Sequence, residues 1–73
     1  MALHFDLRVN ETKIGYFEAV RVSGGTNPDD VNTYKVTFYG EDKTPFAWRW
    51  LEHRYGDGAW ALIHKATAEL EAG

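Results

Sequence analysis

The chain has no cysteine, which excludes a disulfide framework and thiolate-bound zinc alike. It has no apolar run near the ~18 to 20 residues needed to span a bilayer. Its opening, Met-Ala-Leu-His-Phe-Asp, lacks the basic start and apolar stretch of a secretion signal. The cytoplasm is therefore the expected compartment. Asn10-Glu11-Thr12 matches the glycosylation sequon but is expected to serve as a turn. An excess of basic charge is also missing: eight Lys and Arg stand against eleven Asp and Glu, a formal net charge of −3. A protein that neutralises phosphates normally carries a basic field, so this balance counts against nucleic acid as the partner.

Seventy-three residues make one domain, residues 1–73. A chain this short buries only about 60% of the surface its unfolded form exposes. With disulfides excluded, the compensation on hand is aromatic: four Phe, four Tyr and three Trp. Each such ring can bury about 150–250 Å². Association with a second copy or another protein is the other route to a sufficient core.

Residues 2 to 9 alternate, Leu3, Phe5, Leu7 and Val9 on one side and His4, Asp6 and Arg8 on the other, the pattern of a half-buried strand. Asn10 to Lys13 supplies a hairpin turn. A second strand over 13–22 places Ile14, Val20 and Val22 on one face, and Gly15 marks a bulge or a close backbone approach. Ser23 to Asp30 is an exposed loop with no phosphate-binding ending. In a third strand, 31–39, Tyr34, Val36 and Phe38 alternate with Lys35, Thr37 and Tyr39. After a turn at 40–45, a fourth strand over 46–55 carries Phe46, Trp48 and Trp50 on one side. Arg49, Leu51, His53 and Tyr55 lie on the other. Gly56-Asp57-Gly58 ends it, with Asp57 as helix N-cap. A helix follows, its stripe drawn from Trp60, Ile63, Ala66 or Thr67, and Leu70, widened by Leu62. The order β-β-β-β-α predicts an α+β domain: an antiparallel meander of three to four strands with one C-terminal helix packed on one face. The second face then has nothing to cover it.

The richest constellation is Trp48, Arg49, Trp50, His53, Arg54 and Tyr55, the residue types that dominate protein–protein hot spots and also stack on unpaired bases. They are the candidate partner-binding residues. His4, His53 and His64 are expected at scattered surface positions. Glu52 and His53, as strand neighbours, point to opposite faces and form no acid–base pair. The turn acids Glu11, Asp29, Asp30, Glu41 and Asp42 are expected to be solvated. No catalytic set, cofactor motif, metal cluster or small-molecule site stands out.

His53-Arg-Tyr-Gly-Asp-Gly-Ala-Trp-Ala-Leu62, with Val9-Asn10, Ile14-Gly15 and Val31-Asn-Thr-Tyr34, resembles small uncharacterised proteins of actinobacteria and their phages. The resemblance implies an accessory or host-modulating role. Three strands, a Gly-x-Gly turn and a helix with Lys65, Ala66 and Ala68 are also similar to the back half of a double-stranded RNA-binding domain. The leading helix of that domain is missing, and Ala59, Trp60 and Ala61 stand where its lysine cluster would be. The expected function is a non-enzymatic module that binds a protein, or itself, through an aromatic sheet face. Nucleic-acid binding is the alternative.

Overall fold

The computed structural model describes residues 2–72. Strands β1 (Ala2–Val9), β2 (Thr12–Ser23), β3 (Val31–Gly40) and β4 (Pro45–Arg54) lead through one 3-10 turn (Tyr55–Asp57) to helix α1 (Gly58–Ala72). The strands form one antiparallel sheet in chain order. The domain is thus an α+β meander with a C-terminal helix, as the alternation requires. No helix among the described residues is long and apolar enough to cross a membrane.

Short connections set this topology. Asn10 and Glu11 both take positive φ, 51° and 68°, and join the paired residues Val9 and Thr12. Two left-handed residues in a two-residue loop match the twist of the flanking strands. Between β3 and β4, Gly40 N donates to Thr44 O at 3.0 Å and Lys43 N donates to Gly40 O at 3.0 Å. Lys43 sits at φ 67°, and Asp42 Oδ1 accepts from Thr44 N at 3.1 Å. The long loop after β2 is tied down as well. Tyr55 N donates to Asp30 O at 2.8 Å, and Gly56 N to Pro28 O at 2.9 Å.

The core lies between one sheet face and α1: Leu7, Phe17, Ala19, Tyr34, Val36, Phe38 and Leu51, closed by Leu62 and Ala66. All four phenylalanines line up across the strands. Centroids are 5.4 Å apart for Phe5–Phe17, 5.7 Å for Phe17–Phe38 and 6.4 Å for Phe38–Phe46, within the range of favourable tilted pairs.

Three expectations change. In β2 the buried set is Gly15, Phe17 and Ala19, and Ile14, Val20 and Val22 are exposed. Phe17 claims the core, and strand parity turns Val20 outward. Leu7 pairs with Gly15 but Arg8 pairs with Lys13, so Ile14 is the extra residue of a bulge. In β4, Phe38 pairs with Ala47 and Tyr39 with Pro45, which makes Phe46 a bulge residue. Its ring lies against Phe38, so it leaves the row of Trp48 and Trp50. In α1 the seam against the sheet is Leu62 and Ala66, with Ile63 and Leu70 partly buried. Trp60 flanks that seam and is 73% exposed.

Gly15 lies at a close approach of strands: a Cβ built on it would collide with the Tyr39 carbonyl oxygen. Gly15→Ala is expected to lower the unfolding free energy by about 1–3 kcal/mol, the usual cost of overpacking, measured by urea denaturation.

Candidate functional site

No element among the described residues covers the second face of the sheet. Strand pairing arranges that face in rows. Val20, Lys35 and Trp50 form one; His4, Glu18, Thr37 and Trp48 form the next; Asp6, Tyr16 and Tyr39 form a third. Trp48 and Trp50 are 51% and 56% exposed. Their rings meet edge to face at 5.8 Å, and Lys35 Nζ lies 5.3 Å over the Trp48 ring. At the other end His4, Tyr16 and Tyr39 stack nearly parallel, with centroids 4.6 and 4.8 Å apart. Phe5, Phe17, Phe38 and Tyr34 lie on the covered side. Tyr16, Tyr39, Trp48 and Trp50, which carry a polar handle, stand on the open one.

The six residues singled out from the sequence do not share one surface. Trp48 and Trp50 hold the open face. Arg49 projects to the helix side and is half-buried. Its Nη1 donates to the Trp48 carbonyl at 2.8 Å. Arg54 donates from Nε and Nη2 to Asp57 Oδ1 at 3.2 and 2.7 Å, and its Nη1 lies 3.9 Å from Asp29. That pairing holds the Asp57 carboxyl below the usual carboxylate range, chiefly through the hydrogen bond. Asp57 was expected to cap α1, but the 3-10 turn places its carboxylate on Arg54. Tyr55 lies in that turn, half-exposed beside a cleft with Leu3, Tyr34, Gly58 and Leu62.

His53 is the clearest correction. Expected at the surface, it is 3% exposed. It sits on the covered face and pairs across strands with the fully buried Asn32. The cause is parity: His53 shares a side with Leu51, and that is the side α1 covers. Asn32 Oδ1 accepts from Gly25 N at 2.7 Å, while Asn32 Nδ2 and His53 Nδ1 are buried without a hydrogen-bond partner. Burial lowers the His53 pKa below the ordinary histidine value, and the Lys65 charge adds to this. Asp57 and the Gly58 backbone oppose it. His53 is thus a neutral core residue and no part of a contact surface.

The residues that complete the open face are His4, Tyr16, Glu18, Val20, Lys35, Thr37 and Tyr39. The outward parity of β1 and β3 carried the signal for four of them, His4, Lys35, Thr37 and Tyr39. β4 is an outer strand, and such an edge invites pairing with another chain. Here two of its carbonyls are covered, Trp48 O by Arg49 and Glu52 O by Lys65 Nζ at 2.9 Å. The cations blunt this edge. Among the described residues no three of His, Asp and Glu converge as metal ligands.

Because the folded pKa of His53 is depressed, the unfolded chain binds more protons at mildly acidic pH. Stability from neutral His53 is complete above about 6.5, the unfolded value, and is lost as pH falls through the folded pKa. His53→Leu should remove this acid sensitivity while preserving the helix. Urea melts of both proteins at pH 7 and pH 5 check it, and an unchanged pH dependence would contradict it. No protein-family model, curated protein or solved structure matches this chain, so the site stands on its own geometry.

Proposed function

We propose that this chain is a small non-enzymatic binding module that recognises a protein surface through the open face of its sheet, centred on Trp48 and Trp50. One observation carries the proposal: two adjacent indoles, each more than half exposed, stand on a rigid strand whose face no helix covers. Large exposed apolar patches rimmed by polar groups mark interaction surfaces. Tryptophan at the centre of such a patch contributes most of the binding energy when desolvated. The rigid sheet holds both rings without the ordering cost of a loop.

The chemistry around the rings favours protein over nucleic acid. Beside the rings Glu18 and Glu52 flank Lys35, and farther along the face Arg8 and Lys13 are paired with Asp6. No uncompensated basic field is left to hold a phosphate backbone. An accessory or host-modulating role, which the resemblance to small phage and actinobacterial proteins implies, fits a module of this kind.

The paired variant Trp48→Ala/Trp50→Ala is expected to keep its far-ultraviolet circular dichroism and lose capture of its protein partner from cell lysate. Trp60→Ala, on the helix flank, is expected to retain that capture. Equal capture by all three proteins would count against the open face. Tight, salt-sensitive binding to single strands or duplexes would favour the nucleic-acid alternative.

A further inference from the structure

We infer that the partner on the open face is a second copy of this chain, packed sheet against sheet. The inference rests on the open face being the binding surface and adds the identity of its occupant. A twofold interface places one patch against itself, so the patch must be complementary to its own copy. The charges on this face meet that condition.

Strand pairing sets Lys35 opposite Val20 on one side and Trp50 on the other. Glu18 lies opposite Thr37, and Glu52 opposite Thr33. Glu18, Lys35 and Glu52 therefore fall on one diagonal across β2, β3 and β4, in the order acid, base, acid. None of the three forms an ion pair among the described residues. The pairs on this side of the sheet are Asp6 with Arg8 and Lys13, at 3.6 and 3.5 Å. Lys35 instead rests over Trp48. Laid against a twofold copy of itself, with the axis between Lys35 and one acid, this line sets each Lys35 against a carboxylate of the other copy. Two equivalent ion pairs result, flanking the four indoles.

The surroundings support the same occupant. Sheets pack face to face about 10 Å apart with interleaved side chains, and Trp48, Trp50 and Val20 supply the apolar centre for such a layer. Arg49 and Lys65 cover two carbonyls of β4, so pairing with another chain along that edge, beside the tryptophans, is disfavoured. A chain of this size also gains from a second copy what its own core cannot supply.

The test is molar mass by light scattering from low micromolar to near-millimolar concentration. Four proteins are compared: wild type, Trp50→Ala, Lys35→Glu, and the combined Glu18→Lys/Lys35→Glu/Glu52→Lys. Wild type is expected to be a dimer. Trp50→Ala should dissociate about thirtyfold more readily, as removal of a central hot-spot residue does. Lys35→Glu leaves three acids in line and should be monomeric. The combined variant restores an alternating line with its signs reversed and should dimerise again. All four positions lie on the sheet surface, and circular dichroism confirms that each variant is folded. Wild type that stays monomeric throughout overturns the inference, as does a dimer unaffected by both Trp50→Ala and Lys35→Glu. A monomer whose lysate capture still depends on Trp48 and Trp50 refutes only the second copy. A monomer whose capture does not depend on them refutes the open-face reading as well.

Discussion

One helix can cover one face of a four-stranded sheet, and the rest of the molecule follows from which face it covers. The seam of Leu62 and Ala66 closes over Phe17, Val36, Phe38 and Leu51. Leu62 and Ala66 are the helix's buried residues. The row of phenylalanines beneath them reaches from Phe5 to the half-exposed Phe46. Because side chains alternate along each strand, filling this face commits every intervening residue to the other one. Trp48 and Trp50 are exposed, and Tyr16 and Tyr39 half-buried on the open face, as the consequence of a core built from their neighbours.

The same constraint explains the polar groups. His53 is carried into the core by its parity with Leu51, and Asn32 follows by cross-strand pairing. Asn32 is used: its carbonyl oxygen holds the start of the long loop through Gly25. That loop in turn ties to the end of β4 through Asp30 and Pro28. Gly56 belongs to this junction, since a Cβ there would come within 2.6 Å of the Pro28 carbonyl oxygen. The strand-to-helix join is thus fixed by backbone hydrogen bonds and by the Arg54–Asp57 pair, and the join sets the direction in which α1 leaves the sheet.

Much of this architecture was legible in the sequence. Leu3, Phe5 and Leu7, and Tyr34, Val36 and Phe38, alternate cleanly because one side of each strand is buried and the other is wet. The open second face followed from counting one helix against one sheet. What could not be seen has physical causes. Both sides of β4 carry bulky residues, so alternation grouped His53 with Leu51 and Trp48 with Trp50 without showing which group lay under the helix. In β2 the inward positions are Gly15, Phe17 and Ala19, two of them too small to announce a buried face. The bulge at Ile14 was signalled by the neighbouring Gly15, whereas the one at Phe46 arises from pairing across strands and has no such marker in β4. Helical periodicity identified α1 but not its rotation, so Trp60, the largest apolar side chain on it, was assigned to a seam that Leu62 and Ala66 occupy.

The proposed binding surface was half visible: its two tryptophans stood out, while its tyrosines and its line of alternating charge emerge only once the strands are set side by side. The most direct measurement is a concentration series of 15N-correlation spectra that follows the three indole N–H signals, one per tryptophan. If the open face is the contact surface and a second copy its occupant, the Trp48 and Trp50 signals shift together with increasing concentration while the Trp60 signal stays in place. Movement of Trp60 alone, with Trp48 and Trp50 unchanged, would place the contact on the helix flank and contradict it.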